Sequence, residues 1–449
     1  MNEISLEDSV QKTSLRSFYL MVAGISILTL GAATTGFSIS LWVLEDTKSV
    51  TMFALIAAVN TLPTVLLSPI AGVYVDRWNR RKVIIIAETG LGISALCLAI
   101  IYWQGLFHIK YIMLFGITGS VCGTFILPAL SASTVMLVPT DQLIRANSIR
   151  VISVGLAQIL APALAGFLLS SIGMKWIFVL NLVGIAVATT TIIIIKIPQP
   201  LKTIIDKGKQ GVLSDMSIAW HYLLEKRGLL YLLYFFVVVN FCVVSLNVIF
   251  IPLVKPFATV KELGMVLSVG GTGILIGGLA TMLLGNIKYK ILLSLIITAI
   301  ISFAVLLSTI KPSIYIVGAG IFVFTAGFPL VLALSQTVWQ LKLPADMQGR
   351  VFGFRAAVLG ATMPIAFILS GVLADGIFEP GMHADGFLVA WFGALYGTGD
   401  GRGLAVMAGM YGVLSLLAAI FAIMHPRILN IEVELPDCEV FEEDMKISV

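Results

Sequence analysis

Long apolar runs, each ended by charged or turn residues, recur along the whole chain. A membrane-spanning helix needs about 20 mostly apolar residues. The runs predict twelve spans, at residues 18–43, 51–75, 83–104, 110–136, 147–172, 175–196, 228–254, 263–285, 290–310, 313–341, 351–377 and 403–424. Strands of alternating polarity are not seen, and backbone groups in lipid must pair within their own segment. The pattern predicts an all-α polytopic membrane protein.

The composition agrees with a membrane protein and excludes several other classes. Hydrophobic residues make up 59% of the chain and charged residues 12%, whereas soluble proteins are about a quarter charged. The net charge of +4 is small, so nucleic acid is not an expected partner. The sequence has no C-x-x-C pair, Walker motif or catalytic cluster in any span. We therefore expect no enzyme activity, no cofactor and no bound metal.

Lysine and arginine are unequally distributed between alternate loops. With both termini placed in the cytoplasm, 21 of the 28 cations fall on the cytoplasmic side, Arg150 and Arg355 among them. The positive-inside rule then fixes the topology. No cation or histidine is expected at the centre of a span. The polar first residues lack a cleavable signal, so the first span is expected to direct insertion into the inner (plasma) membrane of a prokaryote.

A long polar interruption divides the predicted spans into two halves. Residues 1–17 form a cytoplasmic segment, 18–196 a first six-helix bundle, 197–227 a linker, 228–424 a second bundle and 425–449 an acidic tail. The linker contains "LSDMSIAWHYLLE", which predicts an amphipathic helix on the membrane surface. The stretch "EPGMHADGFLVAWFGALYGTGDGRG" between the last two spans is either an interfacial segment or an irregular loop.

The two halves are similar to each other in sequence. A shift of 205 positions superimposes Pro139 on Pro344, Asp141 on Asp346, Arg145 on Arg350, Arg150 on Arg355, Gly155 on Gly360, Ala161 on Ala366 and Gly166 on Gly371. A duplicated six-helix unit explains this, and internal repeats are the usual architecture of secondary transporters.

The loop between the second and third spans, "GVYVDRWNRRKV" at residues 72–83, concentrates charge. Its cations could simply be attracted to anionic lipid. That does not explain Asp76, or Gly72 one helical turn earlier. A carboxylate at a span end can meet the positive N-terminus of another helix or guanidinium groups, and a glycine permits close helix approach. The cluster could thus hold one half against the other and release it.

This loop resembles the signature G-x-x-x-D-R-x-G-R-R-K of the major facilitator superfamily, with Asn79 where glycine is usual. The resemblance implies a cytoplasmic latch. Its candidate residues are Gly72, Asp76, Arg77, Arg80, Arg81 and Arg350. The equivalent loop of the second half, "LGNIKYK", has no acid, so a symmetric second latch is not expected.

The fifth span resembles a motif of the proton-coupled exporters of that family, G-x-x-x-G-P-x-x-G-G. The chain reads Ala157-x-x-x-Ala161-Pro162-x-x-Ala165-Gly166, and we take Ala161, Pro162 and Gly166 as a helix-packing motif. "VPTDQLIRANS", "QGRVFGFR" and "VELPD" are similar to the macrolide-efflux and siderophore-export branch. The resemblance implies proton-coupled export by alternating access, by a monomer. An importer or lipid facilitator of the same fold, or a non-transporting sensor, stays open.

Few ionisable groups fall inside the predicted spans. Glu88 is expected roughly 9 Å into the third span. It is either a proton carrier or a structural carboxylate paired with cytoplasmic arginines. Asp375, near the outer end of the eleventh span, is expected to be a solvated terminus.

Uncharged polar residues are candidates for substrate contact. They are Thr34 and Ser38 in the first span, Asn240 and Asn247 in the seventh, and Gln336 in the tenth. Each could instead form an interhelical hydrogen bond. A cavity with few charges and many of the 25 phenylalanines suits a bulky amphiphilic compound. The glycines of "GGTGILIGG", residues 270–278, predict close helix packing and not a phosphate loop.

Overall fold

The structure is a computed structural model that describes residues 15–139, 143–195, 197, 212–283 and 287–435. These residues form helices joined by short turns, and no β-strand occurs among them. The first six helices are α1 (Leu15–Thr47), α2 (Val50–Arg77), α3 (Arg80–Trp103), α4 (Ile109–Leu137), α5 (Leu143–Ser171) and α6 (Met174–Ile194).

The remaining helices follow the linker. They are α7 (Val212–Glu225), α8 (Arg227–Val254), α9 (Val260–Leu283), α10 (Lys290–Ile310), α11 (Ile314–Lys342), α12 (Ala345–Leu373), α13 (Glu379–Gly381), α14 (Val389–Tyr396), α15 (Arg402–Met424), α16 (Pro426–Leu429) and α17 (Ile431–Glu434). A 3₁₀ turn (Lys255–Phe257) follows α8, and a π-helical turn (Ala374–Phe378) follows α12.

Eleven of the described helices are long and apolar enough to cross a membrane. The twelfth long helix, α5, contributes the shorter apolar run Gly155–Ser171. Every predicted span therefore coincides with a helix, and the predicted all-α polytopic fold is confirmed. The polar turns are capped where the sequence allows it: the Asn79 side chain accepts a hydrogen bond from the Lys82 amide at the start of α3.

By its internal contacts the chain divides into two compact units. Unit 1 comprises residues 1–48 and 56–205, and unit 2 comprises residues 49–55 and 206–449. The first residues of α2 thus belong to unit 2, whereas the rest of that helix belongs to unit 1.

The same pairing of helices occurs in each unit. In unit 1, α1 packs against α5 and α6, and α3 packs against α4 and α6. In unit 2, α8 packs against α12 and α15, and α10 packs against α11 and α15. The first, third, fourth, fifth and sixth long helices of each unit are therefore arranged alike, as expected of a duplicated six-helix bundle.

Glycines permit the closest helix contacts. In unit 1, a Cβ atom at Gly31 would lie 2.9 Å from the Asn181 Cα atom, and one at Gly184 would lie 2.9 Å from the Ile27 oxygen. In unit 2, a Cβ atom at Gly277 would collide with the Ala326 carbonyl group. The prediction of close packing for residues 270–278 is confirmed, because α9 lies against α11 at this glycine.

Several side chains tie together the end of unit 2 that holds the start of α10 and the end of α11. The Glu432 carboxylate accepts hydrogen bonds from the amides of Lys290 (3.1 Å) and Ile291 (3.2 Å), at the start of α10. The Lys342 ammonium group, buried at the end of α11, donates to the backbone carbonyl oxygen of Glu432 at 2.9 Å. In α7, the predicted amphipathic helix of the linker, Ala219 and Leu223 are fully buried, so this part of its apolar face packs against other helices of unit 2.

The opposite end of unit 2 carries two capping carboxylates. Glu379 accepts hydrogen bonds from the amides of Gly401 (3.2 Å) and Leu404 (3.0 Å) at the start of α15. Asp375 accepts hydrogen bonds from the amides of Val50 (3.0 Å) and Thr51 (2.8 Å). The expectation that Asp375 is a solvated terminus is wrong, because its carboxylate satisfies the first amides of α2.

Candidate functional site

The structure describes the side chains of some of the candidate latch residues but not of all of them. Gly72, Asp76 and Arg77 lie on the helical backbone at the end of α2, but the surroundings of Gly72 and the side chains of Asp76 and Arg77 lie outside the described part of the structure. A latch that contains Asp76 therefore stays a prediction.

The next two arginines bind carbonyl groups near helix C-termini in unit 1. Arg80 donates from Nη1 to the Ala132 oxygen of α4 at 3.0 Å. Arg81 donates from Nε to the Ile192 oxygen of α6 at 3.1 Å, and from Nη2 to the Ile193 oxygen. Cations stabilise helix C-termini by hydrogen bonding and by the helix dipole. These contacts tie the start of α3 to α4 and α6.

Arg350, the repeat counterpart of Arg145, lies near the start of α12 in unit 2. Its Nε atom lies 2.8 Å from an Asp215 oxygen of α7. This contact holds the linker helix against α12. The structure thus gives Arg350 an acidic partner that the sequence did not suggest for it.

Glu88 is buried in unit 1, on the face of α3 that packs against α4 and α6. Its side chain is 0% exposed, and neither carboxyl oxygen has a hydrogen-bond partner among the described residues. The Thr189 hydroxyl of α6 lies close to the Glu88 carboxyl group, but the two do not form a hydrogen bond of normal geometry. The Thr189 hydroxyl has no other hydrogen-bond partner among the described residues. The structural alternative, a carboxylate paired with cytoplasmic arginines such as Arg77 or Arg145, stays open, because the side chains of those two arginines lie outside the described part of the structure.

Three of the candidate cavity residues make local or interhelical hydrogen bonds. In unit 1, the buried hydroxyls of Thr34 and Ser38 donate to the Leu30 and Thr34 oxygens of their own helix. In unit 2, the Asn240 amide donates to the Thr362 hydroxyl at 2.6 Å and to the Leu359 oxygen at 3.1 Å. Asn240 therefore joins α8 to α12.

The fourth candidate, Asn247, lies at a cavity inside unit 2. The cavity has a volume of about 250 Å³ and lies among the ends of α8, α10 and α11 that face away from the linker. Its wall includes Leu246, Phe250, Ile321 and Phe324, and the exposed Asn247 side chain is at its edge. Pockets for drug-sized ligands measure roughly 300–1,000 Å³. The cavity could therefore hold one apolar part of a larger compound.

The hydroxyl groups in the cavity wall are already satisfied. Ser308 donates to the Val305 oxygen, Thr309 to the Leu306 oxygen, and Thr325 to the Ile321 oxygen, each within its own helix. Because these donors are used, the cavity presents a mostly apolar surface. The Asn247 amide donates to the Val243 oxygen at 2.9 Å, and its carbonyl oxygen is the polar feature at the edge.

The fifth candidate, Gln336, accepts a hydrogen bond from a buried cation that the sequence analysis placed at a cytoplasmic span end. Arg355 is 8% exposed and lies ten residues after the first residue of α12, about 15 Å along the helix. Its Nη1 atom donates to the Gln336 side-chain oxygen at 3.2 Å. The sequence analysis counted Arg355 among the cations of the cytoplasmic side, whereas its side chain is buried inside unit 2. In the sequence, the pairing of Arg355 with Arg150 in the repeat was the feature that singled this arginine out.

The packing motif of the fifth span lies in α5. Ala161 and Gly166 are buried, and Pro162 lies inside the helix. Helix α5 packs against α1. The small residues are thus on a buried face, as a helix-packing role requires.

Comparisons with known proteins agree with this architecture. A profile of the Major Facilitator Superfamily matches residues 21–367. Macrolide efflux protein A of Streptococcus pyogenes is 26% identical over 370 residues, covering 80% of this chain and 90% of that protein. The enterobactin exporter EntS of Shigella flexneri is 30% identical over 144 residues, which cover 30% of this chain and 33% of that exporter. The resemblance to this branch is confirmed.

Solved structures show the same fold. A bacterial homolog of the human lysosomal transporter Spinster, in an inward-facing and unoccupied conformation, superimposes with a TM-score of 0.71 at 15% identity, covering 94% of this chain and 98% of that one. A D-xylose-proton symporter superimposes with a TM-score of 0.66 at 15% identity, covering 90% and 96%.

Proposed function

Because the chain belongs to the major facilitator superfamily and is a multi-pass membrane transporter, we propose that it exports a bulky amphiphilic compound in exchange for protons. Glu88 is the proposed proton carrier. The chain would work by alternating access as a monomer in the inner membrane, with Asp76 and its arginines as a cytoplasmic latch. This proposal rests on the site chemistry and on the export activity named for two relatives.

The burial of Glu88 is the observation that supports proton coupling. A carboxylate anion without a partner is costly inside a membrane protein, and protonation removes that cost. Glu88 is fully buried, has no hydrogen-bond partner among the described residues and lies about 12 Å into α3. Its carboxyl group can therefore hold a proton in one conformational state. In another state, the ionised carboxylate needs solvent or a cation beside it. A structural carboxylate would be expected to have fixed partners.

The cavity of unit 2 supports an amphiphilic substrate. Its wall is apolar, and Asn247 supplies a polar group at the edge. We propose that an apolar part of the substrate occupies this cavity, and that the Asn247 carbonyl oxygen orients a donor group next to it. The cavity volume of about 250 Å³ leaves the rest of a bulky compound outside.

Uptake into inverted membrane vesicles tests this function. The vesicles are given a pH gradient with an acidic interior. The test panel contains a labelled macrolide, a labelled catecholate and a labelled neutral amphiphile. We expect accumulation of at least one compound that collapses on addition of a protonophore. Accumulation that is equal with and without the gradient, or absent for every compound, would contradict proton-driven export.

A further inference from the structure

Arg355 lies in a cluster of aromatic and polar side chains inside unit 2. Its guanidinium carbon lies 5.2 Å from the ring centroid of Trp339 and 5.6 Å from that of Phe236. Nη1 donates to the Gln336 side-chain oxygen at 3.2 Å, and Nη2 lies 3.4 Å from the Ser335 hydroxyl. Helices α8, α11 and α12 thus hold the guanidinium group in one place.

The cluster contains more hydrogen-bond donors than acceptors. A guanidinium group has five N–H donors, and within the described residues no carboxylate lies within 4.0 Å of Arg355. Trp339 is 0% exposed, and its indole N–H has no partner among the described residues either. A buried cation without an anion is costly. Among the described residues, Arg355 therefore lacks an anionic partner, and the neighbouring Trp339 N–H lacks any acceptor.

Unit 1 contains the matching arginine, but no aromatic ring is seen against it among the described residues. Arg150 donates from Nη1 to the Ser131 hydroxyl at 2.8 Å. Both members of this pair lie 205 positions before Arg355 and Gln336. The bond is therefore a shared feature of the repeat. At the position of Trp339, the same shift places Thr134. The aromatic ring, with its unpaired N–H, is specific to unit 2.

We infer that Arg355 binds the carboxylate of an acidic amphiphile, with access beside the exposed Gln336 side chain. Arginine binds carboxylates through two parallel N–H bonds, and aromatic rings keep its plane fixed. The Trp339 N–H is an additional donor for the same carboxylate. This inference rests on the proposed function, because it makes the transported compound an acid, but it can be tested without transport.

Equilibrium binding to the purified full-length chain in nanodiscs tests the inference. The probes are dansyl-labelled undecanoic acid and its primary amide, which differ only in the head group, and binding is followed by dansyl fluorescence. We expect the wild type to bind the acid at least about tenfold more tightly than the amide, as for a charge-assisted bidentate pair. In Arg355→Gln the two affinities should become equal, with the amide affinity changed by less than about twofold.

The repeat provides a matched control. Arg150→Gln removes the equivalent, partly buried arginine from unit 1 and should leave the acid-to-amide ratio unchanged. If Arg355→Gln does not fold, two milder variants replace it. Arg355→Lys keeps the charge without the planar fork, and Trp339→Phe keeps a ring without the N–H. Each should lower the ratio by about threefold or more.

Any of three results would overturn the proposed carboxylate site at Arg355, here called the anion site. The wild type could bind the acid and the amide equally well, or the acid-to-amide affinity ratio could persist in the Arg355 and Trp339 variants. Arg150→Gln could also lower that ratio as much as the Arg355 variants do. Because no pH gradient is applied, failure of proton-driven export would not alter the ratio. Conversely, equal affinities together with gradient-driven export would refute the anion site and leave the proposed function intact.

Discussion

Asp375 accepts a hydrogen bond of 2.6 Å from the hydroxyl of Ser49, a residue 326 positions earlier in the chain. The same carboxylate accepts the amides of Val50 and Thr51, and the Thr51 hydroxyl donates to the Gly371 oxygen at 2.9 Å. A Cβ atom at Gly371 would lie 2.8 Å from the Thr51 Cα atom. The first turn of α2 thus belongs to unit 2, and its cap comes from Asp375 in the π-helical turn after α12.

Loss of this cap should destabilise the protein. We expect Asp375→Ala to lower the free energy of unfolding by about 1–2 kcal/mol, since the first amides of α2 lose their acceptor. Asp375→Asn keeps one acceptor oxygen and should lose less. Denaturant titration of the detergent-solubilised protein measures both, with the exposed Asp385→Asn as the control. Equal stability of Asp375→Ala and Asp385→Asn would show that the cap contributes nothing.

Two adjacent glycines of α9 should respond oppositely to the same substitution. A Cβ atom at Gly277 would collide with the Ala326 carbonyl group, whereas one at Gly278 would have nothing within 4 Å. We expect Gly277→Ala to cost about 1–3 kcal/mol of stability because α9 and α11 must separate. Gly278→Ala should be neutral or slightly stabilising. Thermal aggregation of the two variants in detergent provides the comparison, and matching midpoints would contradict the packing assigned to this helix pair.

Two asparagines seven residues apart in α8 should separate stability from transport. Asn240→Leu removes the bonds to Thr362 and Leu359, so we expect a loss of about 1–2 kcal/mol of stability. Asn247→Leu changes an exposed side chain, so stability should change by less than about 0.5 kcal/mol. Loss of its polar contact should raise the KM for export by about twofold to tenfold. Unfolding curves and initial transport rates are measured on the same preparations. An unchanged KM in Asn247→Leu would remove this residue from the site.

The helices and their small-residue contacts could be predicted from the sequence, because both depend on local pattern. The glycines at 270–278 and the repeat shift of 205 positions each corresponded to an observed packing feature. The cap of α3 is also a local interaction, because Asn79 accepts from the Lys82 amide only three residues later in the chain.

The polar partners could not be predicted, because they depend on which helices meet. Asp375 binds amides 324–326 residues away, and Arg350 binds Asp215 in the linker. The distribution of lysine and arginine assigned Arg355 to the cytoplasmic side, since in the sequence a single charge near a span end looks the same whether it faces water or packs among rings. The pairing with Arg150 was visible in the repeat, but the surrounding rings come from α8 and α11.

Glu88 carries the central claim, and its neutral replacement tests it most directly. Glu88→Gln and, as the control, the exposed Glu262→Gln are reconstituted beside the wild type, and two rates are compared for one exported compound. One is accumulation driven by a pH gradient, and the other is exchange of labelled for unlabelled compound without a gradient. We predict that Glu88→Gln loses at least about 99% of the gradient-driven rate, which corresponds to the 10²–10⁴-fold contribution typical of a proton-transfer group, and retains exchange. Full gradient-driven accumulation in Glu88→Gln would contradict the account.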